Sequence, residues 1–157
     1  MIVPMTVQHL PDVLAFNNAH AIDLSRLDEA GLAALHAWAF FAIVVPPADA
    51  FLIALDHTAG YGSPNYAWHR ARYDRFVYVD RLAVAPHTRG QGLARRMYAS
   101  LFAASRAAGH TQVLCEVNID PPNLASDALH ASLGFVCVGE AQIHGGAKTV
   151  RYYRVPL

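Results

Sequence analysis

The chain has 157 residues and a mass of 17.1 kDa, a length that fits one domain spanning residues 1–157. Hydrophobic residues make up 54% and charged residues 15%, which excludes a disordered chain and allows a core without staples. Lys+Arg is 12 and Asp+Glu is 12, so neither a basic nucleic-acid module nor an acidic tail is expected.

Residues 2 to 8 alternate weakly and predict a short first strand. Pro11 suits the first turn of a helix running to about His20, with Asp12 beside it. Ser25, with Asp28 three residues on, predicts the start of a second helix. Leu27, Gly31, Ala34, Leu35 and Trp38 then recur at helical spacing up to Ala39. Phe40–Val45 and Ala50–Leu55 are short apolar runs that read as buried strands, separated by Pro46-Pro47. Asp56 to Arg75 fits no period. It reads as a long loop with interleaved aromatics and histidines, among them Tyr66, Trp68 and His69. Phe76–Val84 is a strong strand, with Phe76, Tyr78, Asp80, Leu82 and Val84 assigned to one face by alternation. Gly90 to Ala108 reads as a helix with Leu93, Met97 and Leu101 on its apolar face and arginines off it. Gly109 ends it. Gln112–Val117 is a strand. After Pro121-Pro122, Asn123 or Ser126 caps a short helix to Leu133, stopped by Gly134. Phe135–Glu140 and Thr149–Val155 are strands joined across His144-Gly145-Gly146. The order β α α β β β α β α β β predicts a mixed α/β (α+β) sheet of about seven strands packed by four helices.

Cys115 and Cys137 both lie in apolar runs and read as buried free thiols. His69 and His87 read as surface residues, and no histidine spacing suggests a metal site. The first residues lack a signal-peptide pattern. The longest apolar run, Ala37–Ala48, falls short of the ~20 residues of a membrane span, so a cytoplasmic protein is expected.

The most informative stretch is Leu82 to Ala94, where a strand ends, a turn with Gly90 and Gly92 follows, and a long helix begins. Glycines let the backbone approach a ligand closely. The free N–H groups from Arg89 through Gly90, Gln91, Gly92 and Leu93 to Ala94, backed by the helix dipole, suit a pyrophosphate. Arg89 can add a bidentate contact. The glycine spacing fits neither a Walker A loop nor a dinucleotide fingerprint.

Arg89-Gly-Gln-Gly-Leu-Ala94 resembles the Arg/Gln-x-x-Gly-x-Gly/Ala signature of the GNAT N-acetyltransferase superfamily. A second similarity lies downstream: Glu116-Val117, then Asn123-x-x-Ser126-x-x-Leu129-His130-x-x-Leu133-Gly134-Phe135, where the family pattern has Tyr at the His130 position. The two motifs cover about Leu82 to Phe135, and the N-terminal third agrees only in pattern. The resemblance implies a GNAT fold, with its fourth and fifth strands splayed to admit acetyl-CoA. It implies a pyrophosphate on the glycine turn, and a pantetheine arm paired with Leu82, Ala83 and Val84. Asn123 and Ser126 are then cofactor contacts.

The resemblance further implies transfer of an acetyl group to an amine. Glu116 occupies the position that serves as general base in some members, with Asp80 as rival. His130 could donate a proton to the leaving sulfur or act as the base itself. The acceptor read from this is a small primary amine or amino-acid-like molecule. The alternatives are a protein N-terminal or lysine acetyltransferase and a non-catalytic acyl-CoA-binding regulator. Tyr66 and Trp68, with Tyr78 and Asp80 on the strand, are expected to form the acceptor pocket. The other reading of the aromatic loop is packing on the sheet or in a homodimer interface.

Overall fold

The computed structural model describes residues 1–157. The strands are β1 (Val3–Pro4), β2 (Phe41–Val45), β3 (Ala50–Asp56), β4 (Val77–Val84), β5 (Gln112–Asp120), β6 (Val136–Ile143) and β7 (Lys148–Pro156). The helices are α1 (Leu10–Ala19), α2 (Ala21–Leu24), α3 (Glu29–Trp38), α4 (Pro64–Arg70), α5 (Leu93–Ala107) and α6 (Leu124–Ser132). The strands form one sheet in the order β1-β2-β3-β4-β5-β7-β6, and β4 with β5 is its one parallel pair.

Two helices were not expected, α2 and α4, so the four expected helices become six. α4 lies inside the segment read as irregular. Its apolar residues are aromatic and closely spaced, and they mask the helical period, but Pro64 at its first position is an ordinary start. The first strand shrinks to two residues because a 3₁₀ turn, Val7–His9, leads directly into α1. Asp28 rather than Ser25 caps α3, its side chain accepting from the Gly31 N–H at 2.7 Å. Asn123 caps α6 in the same way, accepting from Ser126 N–H at 3.3 Å.

Both sheet faces are covered. One carries α5 and α6 over Val77, Val79, Val113, Cys115, Val117 and Tyr153. On the other, α1 and α3 pack over Val44, Phe51, Ile53 and Leu55, and α4 packs Tyr66 over Phe76, Tyr78 and Leu114. Burial of these side chains, at about 1.5–3 kcal/mol each, is the main source of stability.

Strict alternation along β4 does not hold. Ile53 pairs with Arg81 and Ala54 with Val79, which leaves Asp80 without a partner in a β-bulge. Val77 and Val79 face α5 before the bulge; Leu82 and Val84 face it afterwards. The bulge also turns neighbouring side chains toward each other. Asp80 and Arg81, which a regular strand would separate, pair at 2.7 Å.

Two further expectations change. Cys115 is buried but Cys137 is exposed, because β6 is an edge strand. His69 is fully buried rather than on the surface, enclosed by Trp68, Tyr73, Phe76, Tyr78 and Tyr152. No helix is long and apolar enough to cross a membrane.

Candidate active site

β4 and β5 pair only at Val77–Val113 and Tyr78–Leu114 and then part. From Val79 onward one edge of β4 is bonded to β3 and the other is open. The parting opens a cleft of about 730 Å³ that runs from the glycine turn to α1 and the β6–β7 connection.

At one end the turn delivers Arg89, Gly90, Gly92, Leu93 and Ala94 to the cleft wall, while Gln91 is exposed and does not line it. Gly90 and Gly92 have φ of +79° and +74°, a left-handed conformation that L side chains rarely adopt. A Cβ built on either meets nothing within 4 Å. The first helical bond runs from Arg96 N–H to Gly92 O at 3.1 Å, so the preceding N–H groups of Leu93, Ala94 and Arg95 have no backbone acceptor. No acidic residue sits in this first turn, and Arg95 and Arg96 occupy positions where the helix dipole disfavours cations. Arg89 donates through Nε to Val84 O at 3.2 Å. Leu82, Ala83 and Val84 line the cleft from β4, Asn123 and Ser126 from the start of α6. Every residue expected to contact a cofactor except Gln91 is therefore on one surface.

Midway along, the walls carry Glu116 and His130 from opposite sides of the sheet. Glu116 lies on the α4 side of β5. Tyr78 donates its hydroxyl to the carboxylate at 2.8 Å, and Asn65 donates through Nδ2 at 3.0 Å. Tyr152 in turn donates to Asn65 Oδ1 at 2.8 Å. Burial, and then the nearby Asp80 carboxylate, pushes Glu116 up to about 8 against these donors.

His130 lies on the α5 side, where burial holds it below the usual histidine range. Its Nδ1 stands 2.6 Å from Ser126 O, a carbonyl that can only accept, so Nδ1 carries the proton. The neutral ring then accepts at Nε2 from the Tyr98 hydroxyl at 2.5 Å. Tyr98 is fully buried and lines the cleft beside Cys115.

The acceptor-pocket expectations are corrected in part. Asp80 lines the cleft; Tyr78 sits behind Glu116 and is fully buried. Tyr66 and Trp68 do not line it. Tyr66 bonds Asp56 O at 2.6 Å and stacks between Tyr61 and Tyr78. Trp68 lies on Tyr152 with ring centroids 4.1 Å apart. The helical turn of α4 points these rings at the sheet and leaves Asn65 for the cleft, together with Tyr61 just before it. Tyr98, Asn65, Arg81 and Lys148 were missed. Tyr98 follows the glycine turn on the apolar face of α5 and looks like ordinary core there. The others have no local signal.

The glycine turn, the parted β4 and β5 and the half-buried glutamate between them define an acyl-transferase architecture. Residues 17–135 match the Acetyltransferase (GNAT) family, and the chain belongs to that family. The phosphinothricin N-acetyltransferase of Alcaligenes faecalis is 35% identical over 80 residues, which cover 51% of this chain and 40% of that enzyme. The fold matches Arabidopsis thaliana NAA60 in complex with acetyl-CoA at a TM-score of 0.77, with 15% identity over 100% of this chain and 98% of that one. It matches the ribosomal-protein-S18-alanine N-acetyltransferase of Escherichia coli at 0.71, with 18% identity over 99% and 92%. At these identities the structural likeness shows the fold.

Proposed function

We propose that the chain is an acetyl-CoA-dependent N-acetyltransferase that transfers the acetyl group directly to a primary amine of a small molecule or amino-acid-like acceptor. The observation that carries this reading is Glu116, held by Tyr78 and Asn65 in the same cleft as a helix N-terminus free to take an anion. The cleft fits acetyl-CoA. Leu93, Ala94 and Arg95 offer unbonded N–H groups to a pyrophosphate, and Arg89 keeps its terminal nitrogens for the same charge. The open edge of β4 from Val79 to Val84 offers backbone groups to a pantetheine amide. Bound acetyl-CoA supplies an activated thioester.

The chain's own residues supply the proton chemistry. An amine reaches the site mostly as its ammonium, and Glu116 as carboxylate takes the proton that must leave before attack. A backbone N–H of the open β4 edge serves the developing oxyanion. On the opposite wall, the Tyr98 hydroxyl lines the cleft and is seated by His130. In this reading its proton moves from the bond to His130 Nε2 onto the departing thiolate, and the tyrosinate regains a proton from water once the thiol has left, so Tyr98 rather than His130 is the proposed acid. Asp80, spent on Arg81, is the weaker base candidate.

Acetylation of a polypeptide N-terminus or lysine is the second reading; the ribosomal-protein-S18-alanine N-acetyltransferase shows that the fold can carry an enzyme of that kind. Purified chain incubated with acetyl-CoA and panels of amino acids, amines and short peptides separates the two. Release of free thiol with a matching acetylated small molecule supports the first reading; preference for peptides supports the second. Binding without release from any acceptor leaves a non-catalytic acyl-CoA binder. Gly92→Val adds a side chain at positive φ on the cleft wall, and CoA affinity should fall at least about tenfold while the fold persists. A folded variant that binds CoA as the parent does would remove the turn from the site.

A further inference from the structure

The far end of the cleft, beyond Glu116, holds two cations that converge on one residue. Arg81 is enclosed, with its side chain 5% exposed. Its Nε donates to Asp80 Oδ2 at 2.7 Å, and its Nη1 donates to Asn17 Oδ1 at 2.8 Å and to Ser25 O at 3.2 Å. Nη2 makes no such bond to the protein; the Tyr61 hydroxyl lies close to the guanidinium and to Asp80, and Arg81 lines the cleft. Lys148 is the only lysine of the chain. It approaches from the start of β7 and donates from Nζ to Ser25 Oγ at 3.4 Å. No carboxylate lies within ion-pair distance of it, and it too lines the cleft. Ser25 has a φ of 62°, an uncommon conformation for a residue with a side chain, so the backbone is held where both cations reach it.

The charges at this end are Asp80, which answers Arg81, and Asp23, which is exposed at the rim. Lys148 and the free Nη2 of Arg81 remain for a ligand. A guanidinium fixed through two nitrogens by three acceptors and open at its third nitrogen is a ready donor for a carboxylate. Phe16, Leu24 and Tyr61 supply apolar surface beside it.

We propose that the acceptor is a free amino acid, with its carboxylate held by Arg81 Nη2 and Lys148 Nζ while its amine meets Glu116. This rests on the acetyltransferase reading above and goes beyond it in naming the group opposite the amine. A zwitterion matches the charge order of the wall, with an acid-base carboxyl on one side and two cations on the other. A peptide N-terminus has a neutral amide where the free amino acid has its carboxylate, and leaves Lys148 without an anion.

Initial rates of thiol release by the unaltered chain, with amino acids and their carboxamides of the same side chain, test this. At least a tenfold higher kcat/KM for the acid is expected, carried mainly by KM. Lys148→Gln should close most of that gap, and Lys148→Arg should keep it. Equal use of acid and carboxamide overturns the inference without touching the acetyltransferase reading, as does an equal rate with tripeptide N-termini. A Lys148→Gln enzyme that keeps the full gap overturns the role of Lys148. No release from any acceptor, with CoA still bound, overturns both readings together.

Discussion

Glu116 and His130 occupy the two sides of one opening, both removed from bulk water, and burial moves them in opposite directions. Desolvation penalises charge. It lifts the carboxyl toward 8 and depresses the imidazole, so both are neutral at pH 7 before an acceptor arrives. Their hydrogen bonds then separate them. Glu116 is half-buried and held by donors, which favour its carboxylate when a cation approaches. His130 is closed at both nitrogens, one committed to Ser126 O and the other to Tyr98. The first arrangement makes a base that an ammonium can switch on; the second makes a rigid support for a neighbouring hydroxyl.

The largest effect should come from Glu116→Gln. It keeps the shape and removes the proton acceptor, so kcat should fall by ~10²–10⁴ while CoA affinity is unchanged. The parent's kcat/KM should rise with pH and level off above about 8, because the carboxylate is the active form, and the variant should lack that limb. Stability carries the reverse sign. The folded carboxyl keeps its proton up to about 8 and the unfolded one only to 4.5, so stability should decline as pH rises across that window. Urea titrations at several pH values should show a flatter profile for Glu116→Gln. A variant with the parent's pH limb would assign the base elsewhere.

Tyr98→Phe probes the other side. It removes one hydroxyl and leaves His130 Nε2 buried without a donor, at a cost of about 1–3 kcal/mol in denaturant titrations. Turnover should fall roughly tenfold to a hundredfold, and less for acyl donors with more acidic thiols. If donor classes fall equally, Tyr98 is packing and the two sides of the opening differ less than their bonding suggests.

His69 serves as a control in which burial dominates, with the Cys115 backbone and the Arg72 charge as smaller influences. It lies on the same face as Glu116, fully enclosed, with no well-formed hydrogen bond at either nitrogen, and burial pushes it down to about 3. Its contribution is present above the ordinary value of 6.5 and is lost as pH falls toward 3. His69→Phe should therefore stabilise by up to about 1 kcal/mol at pH 5 and hold its melting temperature better in acid. Equal acid sensitivity in parent and variant would show that His69 protonates without penalty.

Much of the scaffold was legible in the chain itself. The strand-turn-helix around Gly90 and Gly92, the placement of Glu116 on a strand and the stop at Gly134 depend on residues a few positions apart. Backbone freedom, alternation and helical period act over that range. The α4 helix was illegible because its aromatic residues answer to the sheet and to Tyr152 rather than to a regular stripe. The acceptor wall was misassigned for the same reason: Tyr66 and Trp68 have the composition of a recognition loop but pack inward.

By itself, then, the sequence determined an α/β sheet and its glycine turn, because each is set by local backbone preference and by which face of an element is apolar; Glu116 stood out only through the resemblance of its motif, with Asp80 and His130 as rivals. Only the tertiary structure decided where β4 leaves β5, that Asp80 bulges out and pairs with Arg81, that Tyr98 meets His130 and that Lys148 reaches Ser25. Apart from the bulge pair, those partners are 32 to 123 residues apart in the chain. Nothing local encodes such meetings. They follow from how the layers pack, and the charge, tautomer and proton affinity of each group follow from the neighbours it meets there.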